Sequence, residues 1–296
     1  MRIGFDIGGT NIDAGAVDEA NQVVARRTTP FPKGSSFLEV VRIMESLVQE
    51  LLQEAGSITE DLESIGIAVP GSINGPTGTI ISAHNLGFYN VPIKAAVGER
   101  FPTTPVFLTN DANAATLGEF RMGALRGCLT GILLTLGTGV GGGLILCGEV
   151  FEGGLGHGVE LGHMCIDRKG PLCTCGNRGC VETLCSATWL AEQGRRELSE
   201  TADAKLVIDS AKAGDPTAVK IFERYVEQLS TALASYAVLL DPQIIVLGGG
   251  VSQAGDFLLE PLRQKVKEKS FFHYPYKIVA AELGSDAGIL GAALLK

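Results

Sequence analysis

In the first third of the chain, apolar and polar positions alternate over short blocks. Residues 2–7 (RIGFDI), 13–17 (DAGAV) and 22–29 (QVVARRTT) read as strands. The period then lengthens. Between Phe37 and Ala55 the apolar Leu38, Val41, Val48, Leu51 and Leu52 share one stripe, which predicts an amphipathic helix. The strand IGIAVPG follows, then a Gly/Asn/Pro turn region (SINGPTG), a short strand (TGTIIS) and HNLGFYNVP, whose asparagines and proline predict an irregular path. A helix over IKAAVGERF leads into strand VFLTN. The second half opens on a helix (DANAATLGEFRMGA), passes two apolar blocks around a glycine-rich centre, and becomes mainly helical between Ala187 and Leu240. Strand QIIVLGGGV and a helix over AGILGAALLK close it. No strict repeat is visible, although each half begins β-rich and carries a glycine-rich loop.

Composition narrows this picture. A chain of 296 residues has material for two cores. With 45% hydrophobic residues, 19% charged and 39 glycines, it fits a folded α/β protein rich in tight loops. A formal charge of −9 without any basic run excludes a general affinity for nucleic acid or anionic membrane, because both need a surface that displaces counterions. The chain enters a strand at once, with no room for a secretory signal, so a cytoplasmic location is expected. Residues 127–148 are 22 positions without a charge, long enough for a membrane span. The glycines from Gly137 to Gly143 split them into ILLTL and GLILC, so strand, loop, strand is the better reading.

Three glycine-rich loops could meet phosphate or a flat ring. In DIGGT, Asp6, Gly8, Gly9 and Thr10 offer a carboxylate, bare backbone and a hydroxyl, able to approach phosphate and orient hydrated Mg²⁺, or simply to turn a hairpin. In LGTGVGGG, Gly137, Thr138 and Gly139 repeat the theme. Gly248, Gly249 and Gly250 follow a strand and would let an adenine lie against backbone. Neither GxxxxGK[ST] nor a helix-opening GxGxxG is present. TNDAN puts Asn110 and Asp111 where a strand ends and a helix starts, a place for chemistry or for a plain helix cap by Asp111. Glu160 and His163 are one helical turn apart, and Glu182 lies just past a cysteine cluster; such groups suit sugar hydroxyls.

Seven cysteines, an odd count in an expected reducing compartment, do not make a disulfide framework. Cys173, Cys175 and Cys180 form C-x-C-x₄-C with His163 ten residues upstream, a donor set for closed, structural Zn²⁺, with Cys165 as rival fourth ligand. A redox role would prefer C-x-x-C, which is absent.

Together, DIGGT, NDAN, LGTGVGGG, the Glu-x-Gly-His step and CTCGNRGCVE resemble the ROK family of sugar kinases and repressors, with the cysteine segment most like its zinc-containing glucokinase and N-acylhexosamine kinase branch. The resemblance implies an α/β, actin-like (ribonuclease H-like) two-domain sugar kinase fold with an interdomain cleft. Residues 1–110 plus about 285–296 would form a smaller domain, and residues 111–284 a larger one carrying the zinc knot. Asp111 matches the catalytic base; Asn110, Glu160, His163 and Glu182 match residues that bind sugar hydroxyls. His163 also matches a zinc ligand, with Cys173, Cys175 and Cys180 completing the site. Asp6, Gly8, Gly9, Thr10, Gly137, Thr138 and Gly139 match phosphate-binding segments, and Gly248–Gly250 the adenosine side. Val159 and Phe88 depart from the family pattern, and both are expected along the approach to the sugar.

The expected activity is ATP-dependent phosphorylation of a hexose, with Mg²⁺ and structural Zn²⁺, most readily at the 6-hydroxyl of glucose; N-acetylmannosamine or another hexose is the alternative. Expected partners are the hexose and ATP, with no nucleic acid and no membrane, in a homodimer or homotetramer. A sugar-responsive repressor of the same family is disfavoured, because such repressors carry a helix-turn-helix domain ahead of the DxGGT segment.

Overall fold

The computed structural model describes residues 1–154 and 158–296. The chain divides into two compact units. The first holds Met1–Arg126, Val150–Val159 and Leu283–Lys296, and the second holds Gly127–Glu149 and Glu160–Glu282. The expected boundary after residue 110 therefore shifts: the helix beginning at Asp111 belongs to the first unit, because it packs along the chain's terminal helix.

The first unit is built on strands β1 (Arg2–Ile7), β2 (Asn11–Val17) and β3 (Val23–Pro30), helix α1 (Phe37–Glu54) and the central strand β4 (Ser64–Val69). A second small sheet joins β5 (Ser72–Asn74), β6 (Thr79–Ala83) and β7 (Phe88–Val91); helix α2 (Ile93–Gly98), strand β8 (Val106–Asn110) and helix α3 (Asp111–Met122) follow. The main sheet runs β3-β2-β1-β4-β8. Its first two pairings are antiparallel; β1 with β4 and β4 with β8 are parallel. β4 is buried at every position, as a strand covered on both faces must be.

Two expectations change here. Leu38 is 49% exposed, and the buried stripe of α1 runs instead through Val40, Val41, Met44, Leu47, Val48, Leu51 and Leu52. HNLGFYNVP, expected to be irregular, contains strand β7, which begins at Phe88. Phe88 is buried in the core with its ring edge-on to Phe31, 5.9 Å between centroids.

The second unit contains β9 (Thr130–Leu136), β10 (Val140–Leu146), β11 (Glu149–Val150), helices α4 (Val181–Cys185), α5 (Ala187–Glu197), α6 (Ala204–Lys212) and α7 (Pro216–Leu240), strand β12 (Ile244–Gly248), helix α8 (Asp256–Lys269) and strand β13 (Ile278–Ala280). Its sheet runs β11-β10-β9-β12-β13, antiparallel between β9 and β10 and parallel from β9 through β12 to β13. The strand order of the first unit is thus repeated. Asp215 caps α7 by accepting from the Thr217 and Ala218 amides, and Pro216 occupies the first turn, where its missing N–H costs nothing. Helix α8 was not legible: Pro261 lies inside it and charged residues surround its apolar positions. Among the described residues, no helix is long and apolar enough to cross a membrane.

The last helix, α9 (Asp286–Ala293), returns to the first unit and lies against β1, β4 and α3. Glycine permits this approach. A Cβ on Gly66 would overlap the Ala292 carbonyl, and one on Gly4 the Ile289 carbonyl. Backbone meets backbone because the side chains are missing.

Candidate functional site

In the first unit, the candidate chemistry sits at the ends of β1 and β8. Asn110 ends β8 and caps α3: its Oδ1 accepts from the Ala112 amide at 2.9 Å and the Asn113 amide at 3.3 Å, while Nδ2 donates to the Gly71 carbonyl at 3.1 Å. The capping role considered for Asp111 therefore belongs to Asn110. Asp111 is the first helical residue, with one carboxylate oxygen accepting from Ala112 at 2.8 Å and the other oriented by the same rigid turn. Burial pushes its carboxyl above the ordinary range, and hydrogen bonds from the local backbone pull in the opposite direction.

Asp6 is likewise pushed up, to about 7, first by burial and then by the negative charges of Asp111 and Asp13. It pairs with Asp13 across the β1–β2 ladder, and Gly288 of α9 leaves room for its carboxylate. The turn from Gly8 to Thr10 is tight: the Gly8 amide donates to the Asn11 carbonyl at 2.8 Å, and Gly9 lies over Asn85. Two carboxyls held against their own ionisation make this end of the sheet a candidate place for proton transfer and for a cation.

In the second unit, Glu160 precedes a single 3-10 turn over Leu161–His163, closed by the His163 amide on the Glu160 carbonyl at 3.0 Å. Glu160 is exposed and His163 partly so. His163, Cys173, Cys175 and Cys180 bring one donor atom each to within 4.8 Å of one another. Cys173 Sγ lies 3.5 Å from His163 Nδ1, and the Cys175 and Cys180 sulfurs are 3.6 Å apart. Bonds of about 2.3 Å to sulfur and 2.0 Å to nitrogen around a tetrahedron give edges of roughly 3.5–3.8 Å, so the set fits zinc. Cys165 is exposed and stands outside this cluster.

Glu182, in the first turn of α4, reaches the glycine loop between β9 and β10. Its Oε2 accepts from the Val140 amide at 3.1 Å, and a Cβ on Gly139 would collide with its carboxylate. The same loop is held from α5, where Ala187 N donates to the Gly137 carbonyl at 2.8 Å and the Thr188 hydroxyl to the Thr138 carbonyl at 2.6 Å. Thr188 was not singled out from sequence; a lone threonine in a helical stretch carries no signal. Gly71 was missed too, although the Pro-Gly end of its strand predicts the turn whose carbonyl orients Asn110.

The three glycines after β12 do different work. Gly249 has φ +81°, and a Cβ there would come within 2.5 Å of the Leu136 carbonyl, so it lets β12 close on β9. Gly248 has only ordinary contacts, and a Cβ on Gly250 would point into open space.

A strand order used twice, a buried carboxylate at the start of α3 and an imidazole-carboxylate turn beside a thiol cluster place the protein among the actin-like sugar kinases. More specifically, the chain belongs to the ROK family, which it matches over residues 2–296. It is 38% identical to a glucokinase of Thermotoga maritima, over 98% of this chain and 95% of the relative. A ROK hexokinase from Thermus thermophilus superposes with a TM-score of 0.87 at 34% identity, covering 99% of this chain and 96% of the other. A ROK glucokinase from Streptomyces griseus, solved in complex with glucose and AMPPNP, gives a TM-score of 0.84 at 32% identity, covering 99% and 97%.

Proposed function

We propose that the protein is an ATP-dependent hexose kinase that transfers the γ-phosphate of ATP to the 6-hydroxyl of glucose. The observation that carries this reading is Asp111, a carboxylate fixed in the first turn of α3 and held by burial above the ordinary carboxylate range. A base of that kind accepts the hydroxyl proton as the oxygen attacks phosphorus, and returns it to solvent after product leaves. Asn110, Glu160, His163 and Glu182 are assigned to the sugar hydroxyls by the family resemblance. The loops Gly8–Thr10 and Gly137–Gly139 line the phosphates, and Gly248–Gly250 the adenosine. Glucose is the acceptor that the Thermotoga and Streptomyces relatives support.

Mg²⁺, bound with the nucleotide on the Asp6 side, would neutralise phosphate charge. His163, Cys173, Cys175 and Cys180 would hold a structural Zn²⁺; four protein donors leave no open position, so its contribution is to fix the loop that carries His163 and leads into Glu182. The family resemblance also supports a cytoplasmic homodimer or homotetramer.

Asp111→Asn tests the reading. Turnover with ATP, Mg²⁺ and glucose should fall by about 10³, in the range for losing a general base, while glucose affinity stays within about tenfold. Wild-type turnover in that variant removes Asp111 as the base. No phosphorylated product from a panel of glucose, mannose, N-acetylmannosamine, N-acetylglucosamine, fructose and allose removes the kinase reading.

A further inference from the structure

Helix α7 carries two tyrosines, Tyr225 and Tyr236, that rank among the largest fully buried side chains of the protein. Eleven residues are close to three full turns, so both rings leave the same face, roughly 16 Å apart along the axis. Neither hydroxyl is spent within its own helix. Tyr236 donates to the Leu161 carbonyl at 2.6 Å, and Tyr225 donates to the Cys185 carbonyl at 2.8 Å. Leu161 is the residue after Glu160 and opens the turn that ends in His163; Cys185 is the last residue of the short helix that carries Glu182. The segment from 161 to 185, which holds the thiol cluster and two of the proposed sugar-binding residues, His163 and Glu182, and begins next to a third, Glu160, is therefore tied at both ends to one face of one helix.

What lies between those ties has little regular structure of its own. The two limbs of the segment are joined by the Val181 amide on the Met164 carbonyl at 2.9 Å, by the Ile166 amide on the Gly179 carbonyl at 2.9 Å, and by isolated bridges at Cys165–Cys180 and Leu172–Arg178. A five-residue helix and a single 3-10 turn do not hold their own orientation. α7 does, with 25 residues, a capped start and a buried face against α4, α5, α6 and α8. Trp189 and Phe222 flank the Tyr225 ring at 6.2 and 6.3 Å and fix where its hydroxyl points.

We propose that Tyr236 and Tyr225 are positioning residues for the acceptor sugar: by fixing the Leu161 and Cys185 carbonyls, they set Glu160, His163 and Glu182 in register for binding. Tyr236 has the greater share. Its bond lies one residue from Glu160 and two from His163, whereas the Tyr225 bond lies three residues from Glu182. The inference rests on the kinase reading above, and the sugar KM is where it shows.

The test compares three variants of the full chain. Tyr236→Phe keeps the ring and removes the hydroxyl, so the Leu161 carbonyl loses its shorter hydrogen bond and keeps the one from the Met164 amide at 3.2 Å. The expected result is a glucose KM raised about tenfold, with kcat and the KM for ATP within about twofold. Tyr225→Phe should raise the glucose KM about threefold. Leu229→Ala, on the same helix and fully buried, opens a cavity and lowers stability more than either tyrosine change, yet should leave the glucose KM unmoved. Amide hydrogen exchange across residues 161–164 should quicken in Tyr236→Phe and not in Leu229→Ala. An unchanged glucose KM in Tyr236→Phe, or an equal rise in all three variants, overturns the proposal. Should Tyr236→Phe fail to fold, Tyr225→Phe carries the same comparison. A wild-type protein that phosphorylates no hexose defeats the kinase reading instead, and exchange at 161–164 then decides the positional claim alone.

Discussion

The two units use one strand order and equip it in different ways. In the first, the candidate chemistry belongs to regular structure: Asp6 lies one residue before the end of β1, Asn110 closes β8, and Asp111 opens α3. Hydrogen bonds of the ladder and of the helix start fix these side chains, so no accessory device is needed. In the second, the candidate residues ride on a segment between β11 and α5 whose described residues form a 3-10 turn, a five-residue helix and isolated bridges. There the fixing is done by cross-links, the thiol cluster and the α7 tyrosines. Damage to these supports should therefore read out differently: as lost folding alone in the first unit, and as lost binding along with any lost folding in this segment of the second.

The largest test of that contrast is Cys175→Ser. Removing one of four donors should lower metal affinity by orders of magnitude and loosen the loop from His163 to Cys180. Stability should fall by about 3 kcal/mol or more, and glucose affinity by about a hundredfold. Metal content, thermal unfolding and glucose titration on one preparation check this together. Normal values for all three would show that the cluster is ornamental.

Gly66→Ala is its counterpart in the first unit. The added methyl would overlap the Ala292 carbonyl, a backbone atom of α9 that can move only with its helix. A loss of about 2–3 kcal/mol in denaturant unfolding is expected, with the glucose KM of the remaining folded protein unchanged. A raised KM without lost stability would erase the distinction between the units.

A smaller effect comes from charge. Asp6 titrates near 7 in the folded unit against an ordinary value of 3.8, chiefly through burial, so folding favours its protonated form. The stabilisation is complete below about 4 and is lost as pH rises through about 7. Between pH 8 and pH 5, nucleotide-free wild-type protein should gain about 2 kcal/mol more than Asp6→Asn does. Equal gains in the two proteins would mean that Asp6 ionises freely.

How far the sequence could be read follows the same division. The first unit was legible where alternation and capping chemistry operate locally: β1, β2, β4, β8 and α3 lie where period and turn residues put them. The stripe of α1 was misread at Leu38, since a residue one position before the first buried turn carries the same hydropathy as one inside it. β7 was hidden because Asn90 adopts φ +52° within a four-residue strand, a choice made by pairing with β6 and not by propensity. In the second unit, the donor spacing around Cys173, Cys175 and Cys180 was legible because metal geometry constrains spacing. The tethers from Tyr225 and Tyr236 were not, since the acceptors are backbone carbonyls 40 and 75 residues away, and any buried tyrosine looks alike in sequence.

The smallest expected change in stability tests the reading that sequence left most open, the glycine triplet after β12. One glycine there is explained without any ligand. Gly249 has a positive φ and sits against the Leu136 backbone, so Gly249→Ala should cost roughly 2 kcal/mol through strain and overlap, whatever binds nearby. Gly250 is different: its φ is not in the left-handed region, and a Cβ would meet nothing within 4 Å. Gly250→Ala should then leave stability within about 0.5 kcal/mol, because folding has no use for the missing side chain at that point. If an adenine lies against this backbone, the new methyl occupies its place, and the KM for ATP should rise about fivefold with the glucose KM unchanged. An unmoved ATP KM would return all three glycines to the packing of β12 on β9, and the nucleotide's base would have to be sought elsewhere in the second unit.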